Sequence, residues 1–527
     1  MKEFFRQSMA WLHTWSGLVP GWMLYFIFLT GTLGYFDTEI DRWMKPELPP
    51  ARYDMPAEPM ATTAIKYLER EAAGAQRWFV SLPGDRDQPY LRVFWPGKER
   101  GGNNKLLDPI SGESFTARET GGGQLLYRMH WNLHYLPKNL AHWLVGAATL
   151  GMFVAIITGI VIHVKIFKDF FTFRPAKGQR SWLDAHNVLS VSALPFHIMI
   201  TFTGLLFMAG TYMPLIAAAQ YGAGAEGQKR FNQELFGNTR DVPSAGIAAQ
   251  LIDPVSLIRD GETRWGKGGV ESFEIINPGD ANARVILHRR GDPAVLRSGE
   301  SDIFDGVSGA LLEQRPAITS PSKAARDLLL GLHEGLFAGP LLRWLYALSG
   351  VLGTAMIATG LVLWVVKRRQ REQKKIGGEG FGLRLVERLN IGTIIGLPVG
   401  VAAYFWANRI LPVELLQRDD WETHVMFLVW GAMLLHAALR PTAKAWTEQL
   451  GIATLIFGLL PLLNAFTTER GLGNSLRIGD WVFAGFDLTM LALGLAFAWG
   501  FRRVQRKRVQ KKTIEATKQP ALQGVRS

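Results

Sequence analysis

The residues best suited to chemistry in this sequence are its eleven histidines, because the chain has no cysteine. Without thiols there are no disulfides and no thiolate ligands, so a metal centre must rest on histidine, methionine or oxygen. All the histidines except His288 lie in or beside long apolar runs: His13, His130, His134, His142, His163, His186, His197, His333, His424 and His436. An imidazole within a bilayer is costly unless partnered, which makes each of these a candidate functional group.

Spacing sorts them into pairs. Four Thr-Gly pairs, Thr30-Gly31, Thr158-Gly159, Thr203-Gly204 and Thr359-Gly360, mark four successive apolar runs. His13 and His186 precede the pairs of the first and third runs by the same 17 residues. Trp143 and Trp344 precede those of the second and fourth by 15, and His134 and His333 by 24 and 26. Such order reads as an internal duplication. If both copies begin and end on one side, they are parallel repeats about an axis along the membrane normal. His13 then faces His186 near one surface, and His134 faces His333 near the other.

Two neutral imidazoles saturate the axial positions of a haem iron, an arrangement suited to electron transfer rather than oxygen binding. Each pair is therefore expected to hold one b-type haem, two in all. The lack of cysteine excludes iron–sulfur clusters and c-type attachment. As a straight helix, His13 to Thr30 would cover about 25 Å, most of the hydrocarbon thickness. The Thr-Gly pairs of the second and fourth runs should thus sit beside the inner haem, where glycine would let a macrocycle approach the backbone. Among the rest, His163 ends the second run and could replace either inner ligand. His197, about 16 Å beyond His186 by helical rise, could approach the outer haem. His142 aligns with Arg343 and suits a propionate partner or an interface anchor. His130 and His288 are expected on surfaces. His424 and His436, about 18 Å apart along one helix, cannot share a haem and read as polar contacts within the bundle.

The elements that must position these groups follow from hydropathy. The chain has 527 residues, 48% of them hydrophobic and 20% charged. Apolar runs of membrane-spanning length fall at 16–36, 140–163, 186–213, 341–366, 389–408, 422–439, 449–466 and 480–500. The expected fold is a polytopic α-helical membrane protein with about eight spans. Residues 1–180 and 181–370 form the two repeat units, each a span, an outer α+β module (about 37–139 and 214–340) and a second span. A basic linker at 371–388 leads to four additional spans at 389–501 and a basic tail at 502–527.

The net charge of +13 is concentrated at Lys165–Arg180, Lys367–Lys375 and Arg502–Lys512, after even-numbered spans. That is the positive-inside pattern, not a nucleic-acid surface. It predicts cytoplasmic termini and periplasmic modules. The first run is too long for a signal peptide and lacks a small-residue cleavage site, so it is expected to remain as a span. Each module carries a helix (about Ala64–Glu71 and Pro254–Asp260), strands, and a turn written Asp108-Pro-Ile-Ser-Gly112 or Asp305-Gly-Val-Ser-Gly309. The Gly-rich stretch Tyr221–Gly227 is expected to be a loop.

The runs Trp11-Leu-His13-Thr-Trp-Ser-Gly17, Leu29-Thr-Gly31, Ile157-Thr-Gly159, Trp182-Leu-Asp-Ala-His186, Leu194-Pro-Phe-His197 and Leu332-His333-Glu-Gly335 resemble the PepSY-associated transmembrane helix family over residues 1–370. The resemblance implies a Gram-negative inner membrane, b-type haem on His13, His134, His186 and His333, and reduction of a periplasmic ferric siderophore. Hard oxygen ligands hold Fe(III) far better than Fe(II), so reduction would release the metal. No G-x-G-x-x-G fingerprint is present, so electrons are expected from a separate donor, a quinol or a cytoplasmic reductase. Two other readings differ in kind: a non-redox transporter of an iron complex, and a membrane-anchored interaction protein.

Overall fold

The computed structural model describes residues 2–523 apart from 52, 54, 98–102, 164–169, 171, 176, 213, 237–241, 292–294, 297–298 and 374–378. The basic clusters expected at Lys165–Arg180 and Lys367–Lys375 fall partly outside the described residues. The chain forms two compact units, one of residues 1–46, 118–205 and 342–527, the other of residues 47–117 and 206–341.

The first unit is helical. Among the described residues, six helices are long and apolar enough to cross a membrane: Lys138–Ile162, Pro340–Glu372, Phe381–Ile410, Arg418–Leu439, Thr442–Thr467 and Trp481–Gln510. Two bent pairs bring the number to eight, Glu3–Leu18 with Gly21–Gly34 and Gln179–Ser192 with Leu194–Phe207. In chain order these are the first to eighth spans, which makes this a multi-pass membrane protein.

The bends have a chemical cause. Proline lacks an N–H and its ring clashes with the carbonyl four residues back. Pro20 and Pro195 stand at the two breaks, where the axes turn by 60° and 69°. Both spans start earlier than hydropathy suggests, at Lys2 and Gln179, because polar residues in their first halves dilute the apolar signal. The bends also overturn the straight-helix depths: His13 and His186 each sit in the half-helix before the break, so less than the full rise separates them from Thr30 and Thr203.

The fifth span is the hub of this unit. In its most apolar window 83% of the residues are buried, against 39% or less in the other straight spans. It grips the first span through Trp22 Nε1, which donates to Asn390 Oδ1 at 2.9 Å, and Tyr25 OH, which donates to the Ile394 carbonyl at 2.9 Å. Asn390 Nδ2 then donates to the Leu361 carbonyl of the fourth span at 3.1 Å.

The second unit is α+β. Strands β1 (Arg77–Ser81), β2 (Leu91–Trp95), β3 (Asn103–Leu107), β4 (Val270–Ile276), β5 (Arg284–Arg289), β6 (Ser301–Asp305) and β7 (Leu311–Arg315) form one antiparallel sheet in the order β3-β2-β1-β4-β5-β6-β7. The two expected modules are therefore one sheet, joined where β1 pairs with β4 in the register Val80↔Phe273. The join removes two open strand edges, each a row of unpaired backbone groups. Alternation places Leu91, Val93, Val80, Phe273, Val285 and Leu287 on one face, in a core with the helices Ala57–Glu71 and Pro254–Trp265.

The two aspartate turns have the same construction. Asp108 Oδ1 accepts from the amides of Ile110 and Ser111, both at 2.8 Å, and Asp305 Oδ1 from those of Val307 and Ser308 at 3.1 and 2.9 Å. Gly112 and Gly309 close them at φ 72° and 75°, where a side chain would be strained. The stretch Tyr221–Gly227 is not a loop: one helix ends at Tyr221 and the next begins at Gly224.

Candidate functional site

His13 and His186 come together within the first unit. Their ring centroids are 6.3 Å apart and the rings cross at 71°. Metal–imidazole bonds of about 2 Å, with each nitrogen about 1.1 Å from its ring centre, put coaxial imidazoles on one metal about 6.2 Å apart. The spacing thus matches that of two imidazoles on one metal ion.

Each ring is held the way metal-bound histidines are held, through its other nitrogen. His13 Nδ1 bonds the Ala155 carbonyl at 2.8 Å, and His186 Nδ1 bonds the Met356 carbonyl at 2.9 Å. Thr158 Oγ1 and Thr359 Oγ1 lie 3.4 Å from the same Nδ1 atoms. A backbone carbonyl only accepts, so Nδ1 carries the proton and Nε2 keeps its lone pair for a metal. The Thr-Gly glycines of the second and fourth spans complete the cradle. A Cβ on Gly159 would meet His13 Cε1 at 3.1 Å, and one on Gly360 would meet His186 Cε1 at 3.1 Å. The glycines therefore lie beside the His13–His186 pair, and what they admit is the imidazole itself.

The other candidates separate clearly. His163 Nε2 lies 3.3 Å from Asn187 Nδ2, so the side chain after His186 engages it. His142 lies against Trp131, ring centroids 5.8 Å apart. Arg343, its expected counterpart, reaches Glu39 at 3.4 Å. His197 is fully buried, and neither ring nitrogen makes a hydrogen bond among the described residues, with the backbone of Ser190 and Ser349 nearby. Its ring lies edge-on to Phe28, and its Nε2 is 3.2 Å from where a Cβ on Gly353 would stand.

The expected outer ligands fall in different units. His134, in the helical unit, lies against Tyr135 and stacks on Phe427 at 5.8 Å. Burial pushes its pKa below the usual imidazole range; nearby His424 and Arg128 add to this and Asp420 opposes it. His333, in the sheet unit, packs on Phe207 at 5.3 Å. His424 hydrogen-bonds Tyr135 through Nδ1, and His436 Nε2 bonds Glu448 at 2.8 Å, both polar contacts of the bundle. His288 sits on β5, 3.4 Å from Glu274.

One residue was misplaced by sequence reasoning. His130 is not on a surface: it is part-buried, its Nδ1 bonds the Tyr127 carbonyl at 2.6 Å, and its ring lies 3.6 Å from where a Cβ on Gly31 would stand. A signal was present, since Leu125-Leu126-Tyr-Arg-Met-His130 runs parallel to Leu328-Leu329-Leu-Gly-Leu-His333.

Comparison with known proteins gives this arrangement a context. An uncharacterized protein of Pseudomonas aeruginosa is 25% identical over 389 residues, covering 71% of this chain and 94% of that relative. The PepSY-associated TM region matches residues 10–367, both repeat-like halves with His13 and His186 included, and leaves out the last four spans. Since that match covers well over half the sequence, the chain belongs to the PepSY-associated TM region family.

Proposed function

We propose that the protein is an oxidoreductase that passes electrons through its membrane by way of histidine-bound b-type haem, reducing a ferric complex such as a ferric siderophore outside the cytoplasm. The observation that carries the reading is the His13–His186 pair, with ring centroids 6.3 Å apart and both Nδ1 atoms tied to backbone carbonyls. Haem held there by His13 and His186 would supply one-electron carriage.

The chain's own residues do the rest. The Ala155 and Met356 carbonyls fix the tautomer and aim each ring, and Gly159 and Gly360 leave room for it to lie against the neighbouring span. The bent first and third spans carry the two ligands on their first half-helices. A second haem belongs to the same reading, and His197 is its strongest ligand within the helical unit, because a fully buried imidazole without hydrogen bonds is costly unless a ligand satisfies it. Electrons would come from a quinol or a cytoplasmic reductase.

The test is haem quantitation and dithionite-reduced visible spectra of the purified chain and of its His13→Ala, His186→Ala and His197→Ala variants. The expected result is two haems per wild-type chain. His13→Ala and His186→Ala should lose the same one, and His197→Ala the other. A colourless wild-type preparation from haem-replete cells would refute the proposal and support transport without redox chemistry.

A further inference from the structure

We propose that the added half of the chain holds an anionic phospholipid in a cleft between the fifth and sixth spans. The cleft, about 590 Å³, is lined by Leu385, Leu389, Leu434 and Leu435, with Arg384 and Arg388 on the fifth span. Its walls suit acyl chains. Leu385 and Leu435 are 43% and 59% exposed, so within a membrane they face hydrocarbon rather than water.

The two guanidinium groups have no acidic partner among the described residues. The acids at this end of the bundle are already engaged. Glu372 pairs with Arg368 and Glu379 with Arg369, each at 2.7 Å, and Glu387 also pairs with Arg369. Arg388 Nε is buried without a hydrogen bond. A cationic pair one helical turn apart at the mouth of an apolar cleft matches a phosphodiester with its chains attached. Basic pockets between spans are where anionic headgroups bind, and a guanidinium fork suits phosphate oxygens. A neutral quinone would leave both charges uncompensated, and a free phosphate would leave the leucine walls unfilled. The inference rests on the membrane topology alone and not on haem.

Native mass spectrometry of the full chain, delipidated and then titrated with phosphatidylglycerol or phosphatidylcholine, tests it. Each basic side chain near a headgroup contributes about a fivefold preference, so two give about 25-fold. Wild-type protein should retain phosphatidylglycerol over phosphatidylcholine by that order. Arg384→Gln with Arg388→Gln should abolish the preference, and Leu435→Trp, which fills the cleft and keeps both charges, should cut retention of both lipids. Arg502→Gln with Arg503→Gln, on the exposed end of the eighth span, should retain the preference. Equal retention of the two lipids by wild type overturns the proposal. So does a preference that survives the cleft variants, or one that the Arg502/Arg503 variant removes equally, which would signal diffuse charge. Displacement of the bound lipid by millimolar inorganic phosphate would also overturn it.

Discussion

Replacing Gly159 or Gly360 by alanine tests the proposed haem site without touching His13 or His186. The new methyl carbon would stand 3.1 Å from Cε1 of His13 or His186, where carbon atoms in contact prefer about 3.5–4.0 Å. The imidazole must back away by about 0.5 Å. For His13 that stretches the 2.8 Å bond to the Ala155 carbonyl towards about 3.3 Å, where most of a hydrogen bond worth about 1 kcal/mol is forfeited. Loss of such an outer partner lowers metal affinity about 10- to 100-fold, and 1–1.5 kcal/mol corresponds to about the lower figure. The expected outcome for each variant is about tenfold weaker retention of one haem, read as the midpoint of haem transfer to apomyoglobin. The control lies on the helix that carries His13. A Cβ on Gly17 meets nothing within 4 Å, so Gly17→Ala should retain haem like wild type and gain up to about 1 kcal/mol of helix stability. If Gly159→Ala and Gly360→Ala hold haem as wild type does, or if Gly17→Ala loses it equally, the cradle argument is wrong.

Three further outcomes follow from the geometry. His163→Ala should leave haem content unchanged, because its ring is engaged by Asn187 rather than by the His13–His186 pair; pyridine haemochrome assay decides. Glu422→Gln should destabilise the helical unit by about 3–5 kcal/mol, the cost of stranding one member of a buried ion pair, since Arg418 and Glu422 are both fully buried; thermal unfolding followed by size-exclusion chromatography measures it. In the sheet unit, amides and hydroxyls donated to Asp305 and Asp280 hold both carboxyls below the usual range. A depressed folded pKa gives stability that is present above the unfolded value and lost as pH falls through the folded one. Protection of β5 and β6 amides against hydrogen exchange should therefore fall below about pH 4. Asp305→Asn should weaken protection at pH 7 and flatten that acid response.

How much was legible in the sequence depended on how local the cause was. Hydropathy located all eight apolar elements, because twenty apolar residues in a row have few other uses. The pairing of His13 with His186 is readable because equal spacing to a Thr-Gly pair marks like positions without any knowledge of packing. The helix bends are also written locally, in Pro20 and Pro195, although hydropathy alone does not register them. What stayed hidden was non-local. Nothing in β1 or β4 taken separately says that Val80 will pair opposite Phe273, so two modules were expected where one sheet forms. His130 reads as a surface residue because it lies one turn before His134 on a short amphipathic helix. Its contact with Gly31 depends on how its short helix packs on the first span. His197 has no histidine at the equivalent place in the first span, and only the fold shows that its ring is fully buried.

The last four spans lie outside the family match, and their buried charges explain what binds them to the rest. The chain leaves the helical unit after Pro46 and re-enters it at Arg118. Both points are fixed by polar side chains of the added half. Just before the exit, the Arg409 guanidinium lies 3.6 Å from the Trp43 ring centre and donates to the Trp43 carbonyl, while Trp43 Nε1 donates to Asp487 at 3.1 Å. At the re-entry, Arg118 Nη1 donates to the Asn408 carbonyl at 2.7 Å, Arg418 Nη1 to the Glu119 carbonyl at 2.9 Å, and Thr120 Oγ1 to Glu422 at 2.5 Å. Asn464 ties these together, accepting from Arg409 Nε and donating to Asp487, both at 3.0 Å. Unpartnered, charges so deep would each cost several kcal/mol; here every one of them is met. A hydrophobic packing surface would tolerate sliding by a turn, whereas bidirectional hydrogen bonds in low dielectric have one register. The added spans therefore hold in place the backbone on either side of residues 47–117, from the fifth, sixth and eighth spans, and the fifth also grips the first span beyond the half that carries His13.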